Sequence, residues 1–267
     1  MLAKQMAFVR RDLGIAMTYR VTFVQTIVML VFGLVSMNFV SQFINQGAPP
    51  ALTSYGNDYF GYALVGMSVA LFSQDVAALF PGAIRSAQVS GTLEVIVGSR
   101  TSLPAFLAGS SVYGLSYSLI RLAAVLVLGG LAFGVQLYVD EVLIAFLVLA
   151  LTTAAFAGIG IFAAGFVLWF KQREPFTGAF ITVSLLFSGV IYPTTVLPGW
   201  LEALAQLLPL THTVEALRAT LLQGAGYSSV VDELAVLSLF ALLLPAGLGA
   251  FSFAVRRAKA AGSLGHY

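Results

Sequence analysis

Four ionisable side chains stand in or beside long apolar stretches of this chain: Asp75, Arg121, His212 and Glu215. His212 and Glu215 lie one helical turn apart, a spacing that can present two ligands to one metal ion. The other histidine, His266, falls in the C-terminal tail, on the expected opposite side, so a closed site is hard to assemble. The same pair could serve an intramembrane hydrolase, but no serine has a histidine partner at membrane depth. A hydrogen-bonded histidine at the membrane interface is the simpler reading.

Asp75, preceded by Gln74, and Arg121 each interrupt an otherwise charge-free run. Intramembrane charges are costly and default to functional sites. Counted from the expected cytoplasmic ends of their helices, Asp75 lies ~14 Å deep and Arg121 ~27 Å. That offset of ~13 Å is too large for an ion pair unless the helix limits slide by several residues. Two readings of each stay open. Asp75 is an ion site of a carrier or channel, or it bonds Gln74 and nearby hydroxyls; Arg121 is functional, or it snorkels to the outer head groups. No string of acidic residues follows through the other apolar runs, which disfavours a proton-coupled transporter. No Gly-x-x-x-x-Gly-Lys-Ser/Thr loop occurs, so the chain does not cradle ATP by that device, and no metal or cofactor site is expected on it. With no cysteine there is neither a disulfide framework nor a thiolate site.

Composition sets what must position these groups. Of 267 residues, 59% are hydrophobic and only 9% charged, against roughly 25% charged in soluble domains. A cytosolic enzyme, a disordered chain and a nucleic-acid-binding domain are excluded. An all-α integral membrane protein remains, with residues 1–267 as a single transmembrane domain. About 20 apolar residues cross the hydrocarbon core as a helix, and six stretches qualify: 21–41, 59–84, 103–133, 142–170, 176–192 and 234–255. Six crossings put both termini on one side. Eleven of the thirteen Lys and Arg residues fall on that side, while Asp58, Asp140, Glu141, Glu202, Glu215, Asp232 and Glu233 fall opposite with Arg218. The basic side is therefore cytoplasmic. Ahead of the first span, residues 1–20 place Leu2, Met6, Val9, Leu13 and Ala16 at three- and four-residue steps, the pattern of a helix lying in the head-group plane.

Two connections stand out. Ser90 to Val97, ended by Gly98, reads as a short cytoplasmic helix with Val89, Leu93, Ile96 and Val97 on one side and Glu94 on another. On the outer side, Pro193, Pro198 and Pro209 cut residues 192–226 into two short helices, Gly199–Leu208 and Thr211–Leu222, too short to span and read as re-entrant or interfacial. In the fourth span, Ala154/Gly158 and Gly160/Ala164 are small-xxx-small pairs, which suit close packing within one subunit as well as dimerisation.

Taken together, six spans, an amphipathic leader, Gly91-Thr92-Leu93-Glu94 in the first cytoplasmic loop and the run Ser188-Gly189-Val190-Ile191-Tyr192-Pro193 resemble the ABC-2 type exporter permeases. Leu197-Pro198-Gly199-Trp200-Leu201, Leu208-Pro209-Leu210-Thr211-His212 and Glu215-Ala216-Leu217-Arg218 extend the resemblance over essentially the whole chain. It implies a permease of the bacterial inner membrane, working as a dimer, most simply of two identical copies. Two separate ABC ATPase subunits would hold the ATP and magnesium. Ser90, Gly91, Thr92, Leu93 and Glu94 would then couple to the ATPase. Pro193, Pro198, Trp200, Pro209, His212 and Glu215 would form an external gate. Cargo in the family spans drugs, lipids and polysaccharide or teichoic acid polymers, so the resemblance implies a lipidic, amphipathic or drug-like substrate, or a lipid-linked glycan, for this chain. The leader Phe8-Val9-Arg10-Arg11-Asp12-Leu13 is more similar to drug or lipid exporters.

Overall fold

The computed structural model describes residues 20–47, 58–92, 96, 103–170 and 176–260. The leader expected over residues 1–20 lies outside them apart from Arg20. Among the described residues the regular structure is helical throughout: α1 (Arg20–Asn45), α2 (Tyr59–Val89), α3 (Leu103–Phe133), α4 (Val142–Phe170) and α5 (Phe176–Phe187), a 3-10 turn (Thr194–Val196), then α6 (Gly199–Ala205), α7 (Pro209–Gln223), α8 (Tyr227–Ala241) and α9 (Leu243–Ala260). Five stretches are long and apolar enough to cross a membrane: Val24–Asn45, Tyr59–Val89, Ala105–Phe133, Val142–Leu168 and Tyr227–Arg257, the last formed by α8 and α9 in series. The chain is a multi-pass membrane protein.

The fifth expected span departs from this pattern. Its helix stops at Phe187, and twelve residues reach only ~18 Å. It stops because Gly189 takes a left-handed φ of 72°, which turns the chain out of the helix. Span six also differs. It begins at Tyr227 rather than Leu234 and changes course at Leu242. Pro245 has no N–H for the Ala241 carbonyl and its ring crowds it. The Leu242 N–H bonds back to Leu239 at 3.1 Å in a tighter turn, and α9 starts afresh.

α4 is apolar all round, with one side buried in the bundle and Leu143, Phe146 and Phe162 facing outward. α2, α7, α8 and α9 pack against it. Its small residues are consumed by this packing. A Cβ on Gly158 would lie 2.3 Å from the Leu243 carbonyl carbon, and one on Gly247 of α9 2.3 Å from the Gly158 oxygen. A Cβ on Gly160 would lie 2.4 Å from the Ala77 oxygen of α2. Pro81 leaves that oxygen without its helical N–H donor, which exposes it to the close approach of α4. Of the two explanations open for these pairs, packing within the chain is the one observed.

The charged ends sort as the sequence implies. Gln88 of α2 donates to the Val167 carbonyl of α4 at 3.4 Å, and Gly165 sits against Phe251 and Ala254 of α9. One end of the bundle thus gathers Arg85, Arg256 and Arg257. At the other, Asp58 caps α2 through the Phe60 N–H at 3.0 Å, where a carboxylate also favours the helix N-terminus. The Tyr138 N–H there donates to Leu221 at 2.8 Å, tying the C-terminal end of α7 to the α3–α4 connection. α1 stands apart. It meets α2 and α3 sparsely and exposes Val28, Met29, Phe32, Phe39 and Phe43.

Candidate functional site

At the acidic end of the bundle Arg218 of α7 is buried, only 1% exposed. Its Nε donates to the Tyr62 carbonyl of α2 at 3.1 Å, Nη1 to Gly189 at 2.7 Å and Nη2 to Val190 at 2.8 Å. The guanidinium carbon sits 3.3 Å from the centre of the Tyr62 ring, and the Tyr62 hydroxyl donates to Gly189 at 2.9 Å. A planar fork of donors suits carbonyls presented at different angles, and carbonyls just past a helix C-terminus favour a cation. Gly66 makes room: a Cβ there would lie 2.4 Å from both Arg218 Nη2 and the Val190 oxygen. Arg218 therefore ties the break after α5, the outer part of α2 and α7 into one unit. By charge tally it belongs with the outer loops; the structure buries it. The available signal was a lone basic residue among the acids of that side, within an apolar repeat.

α7 starts at Pro209, whose missing N–H costs nothing at the first helical position, and ends at Gly224, left-handed at φ 63°. It does not span. Its N-terminal half reaches toward the middle of α4, where Thr213 and Thr152 share a hydrogen bond of 2.9 Å, ten residues or ~15 Å along α4 from Val142. His212 is pinned on both sides, by Glu233 of α8 at 2.5 Å to Nδ1 and by the Gln206 carbonyl at 2.8 Å to Nε2. The expected companion Glu215 is not its bonding partner. Burial opposes the imidazolium, but the Glu233 hydrogen bond, the Gln206 carbonyl and the charges of Glu233 and Glu215 outweigh it and hold the His212 pKa above its usual value. Burial, with Glu233 nearby, raises the Glu215 pKa from its usual value. Among the described residues no group of three or more His, Asp or Glu is placed to hold a metal ion.

Of the other gate residues, Pro193 precedes the 3-10 turn, Pro198 precedes α6, and Trp200 is exposed with Leu204 and Leu207 on the same side. α6 covers Gly199–Ala205, shorter than the expected Gly199–Leu208.

Asp75 and Arg121 correct the sequence reading. They form an ion pair of 2.7 Å, and the same Nη2 lies 3.3 Å from the Leu71 carbonyl. The reason is helix length. α2 continues five residues past Ile84 through Arg85, Ser86 and Gln88, so Asp75 is ~21 Å and Arg121 ~27 Å from the basic ends of their helices. An arginine side chain bridges the rest. Arg121 does not snorkel outward, and Gln74 is exposed rather than bonded to Asp75.

At the basic end, Ser90 does not open a new helix but closes α2, its hydroxyl donating to Ser86 at 2.8 Å. Gly91 turns the chain at φ 66°, and the Thr92 carbonyl accepts from the Ile96 N–H at 3.0 Å. Leu93 and Glu94 lie outside the described residues.

Comparison with known proteins agrees with this architecture. A family model described as "ABC-2 type transporter" matches residues 4–222. Two relatives are each called Nodulation protein J. The one from Sinorhizobium fredii (strain NBRC 101917 / NGR234) is 30% identical over 110 residues, covering 40% of this chain and 42% of the relative. That from Neorhizobium galegae is 29% identical over 104 residues, covering 39% of each. The match therefore spans about two fifths of the length of these relatives. The family match covers most of the sequence, and the chain belongs to the ABC-2 type transporter family.

Proposed function

We propose that this chain is the permease subunit of an ATP-driven exporter, powered by two ABC ATPase subunits and paired with a second copy of itself. The family membership carries the reading, since these membrane chains work with separate ATPases. The six-pass topology belongs to the same proposal. α5 and the chain through Tyr192 complete the fifth crossing together, which leaves both termini cytoplasmic in the bacterial inner membrane. The exposed apolar face of α1 supports a partner helix or lipid at that surface.

The segment Ser90 to Gly98 docks into the ATPase, with Leu93 and Glu94 as its contacts. It follows α2 directly through the Gly91 turn, so a push on it is delivered to the helix that carries both Asp75 and the Arg218 carbonyl partner Tyr62. α6 and α7 form the external gate. Trp200, Leu204 and Leu207 offer an apolar surface to it. The cargo is lipidic, amphipathic or drug-like, or a lipid-linked glycan, consistent with apolar helix surfaces that carry few charges. A carrier or channel that works unaided with Asp75 as its ion site is disfavoured, because Arg121 occupies that carboxylate.

The test is purification of the tagged chain from its native membrane with whatever ABC ATPase accompanies it, followed by Leu93→Asp or Glu94→Lys. Uncoupled ATP hydrolysis is expected from either variant. Unchanged coupling in both would refute the docking role.

A further inference from the structure

A cavity of about 660 Å³ lies between α1, α2 and α3, within the range of small-molecule sites. Along α1 its lining runs from Gln25 to Val40, fifteen residues or ~22 Å of helix rise. It is therefore a slot along most of the hydrocarbon thickness rather than a pit at one surface. Gly33 opens it, since a Cβ there meets nothing within 4 Å. Leu34, Leu64, Met67 and Val125 form apolar walls.

One charge faces this oil. Arg121 lines the cavity, whereas its partner Asp75 does not. Both protein contacts of the guanidinium use Nη2, so the N–H of Nε and the two of Nη1 meet no acceptor among the described residues. A guanidinium carries five donors, and donors without acceptors beside an apolar wall are costly. Its side chain is 24% exposed, enough for a ligand oxygen to reach it.

We propose that this slot binds a single-chain amphiphile with an anionic head group, its alkyl chain along α1 and its carboxylate or phosphate on the Nε–Nη1 edge of Arg121. The slot length selects the chain and the one inward-facing cation selects the head. This rests on the permease reading only in making that amphiphile the cargo; the binding site itself does not depend on it.

The test uses the full chain in phosphatidylcholine nanodiscs, with no ATPase present. Electron spin resonance compares binding of 16-doxyl-stearate with that of its uncharged methyl ester. The readout is the motionally restricted fraction lost in Gly33→Leu, which places a branched side chain across the open middle of the slot and keeps Arg121 in place. The acid should bind about tenfold to a hundredfold better than the ester, the worth of a hydrogen bond to a charged group. Gly33→Leu should abolish slot binding of both probes, and the double variant Asp75→Asn with Arg121→Gln should erase the preference for the acid. Equal binding of acid and ester by the native chain, or native binding by Gly33→Leu, would overturn the proposal. In a separate co-purification with an ABC ATPase, failure to associate while stearate binding is intact would count against the permease reading alone.

Discussion

Replacing Arg218 by methionine keeps much of the side chain's length and removes its donors. Three carbonyls lose a charged partner: Tyr62, Gly189 and Val190. They are not equally exposed to the loss. The Tyr62 hydroxyl still serves Gly189, and the Tyr62 carbonyl lies within a continuous helix. Val190 is left with the full deficit. Hydrogen bonds to a charged group contribute about 1.5–3 kcal/mol each, and an orphaned buried acceptor costs about 1–3 kcal/mol. One bond lost outright and two partly replaced, less the relief of no longer burying a cation, gives about 3 kcal/mol of destabilisation. Arg218→Lys should recover only a fraction, because an ammonium cannot fork to three carbonyls around the Tyr62 ring. Unfolding of the purified protein by dodecyl sulfate in mixed micelles measures both variants. A methionine variant within about 0.5 kcal/mol of the native chain would refute the reasoning, that being the ordinary scatter of inconsequential substitutions.

Other consequences can be checked in the same preparation. Gly158→Val and Gly247→Val must each push α4 and α9 apart and should each cost about 1–3 kcal/mol or more, as overpacking does; native stability in both would contradict the close approach. The His212–Glu233 pair makes the α7–α8 contact sensitive to pH. The raised folded pKa means its contribution is fully present below the ordinary histidine value of 6.5 and is lost as pH rises through the folded value. Glu215, also raised, acts in the same direction from the carboxylate range upward. Protection factors in α7 and α8, with the intrinsic base catalysis of exchange divided out, should therefore fall on going from mildly acidic to alkaline buffer. His212→Ala should flatten most of that dependence, and a native profile indifferent to pH would refute it. Asp75→Asn should lower stability less than Arg121→Gln, since the first leaves Arg121 with the Leu71 carbonyl and the second strands a carboxylate; the reverse order in the unfolding assay would count against the observed pairing.

The apolar runs made the bodies of α1 to α4 legible, because crossing a membrane fixes both length and composition. Their ends were less so. Arg85, Ser86 and Gln88 read as loop but continue α2, since a helix need not stop where its apolar run does. That error alone separated Asp75 from Arg121 on paper. Proline punctuation placed α6 and α7 to within a few residues, although α6 ends three residues before the expected Leu208 and α7 begins at Pro209 itself rather than at Thr211. What local pattern could not reveal is pairing across distant segments. Glu233 lies 21 residues beyond His212 and its neighbour Asp232 made it look like a loop acid. Arg218 was visible as a lone cation on an acidic side, but its three carbonyl partners come from α2 and the turn after α5, which only the folded packing brings together.

The central claim is that this membrane chain draws its power from a separate ATPase. Native mass spectrometry on the tagged chain, extracted in mild detergent from its native cells, tests it directly. Two permease copies with two ATPase copies, dissociated by Leu93→Asp, is the predicted result. A native chain that leaves the membrane with no ATPase bound, under conditions that keep its own fold intact, would contradict it.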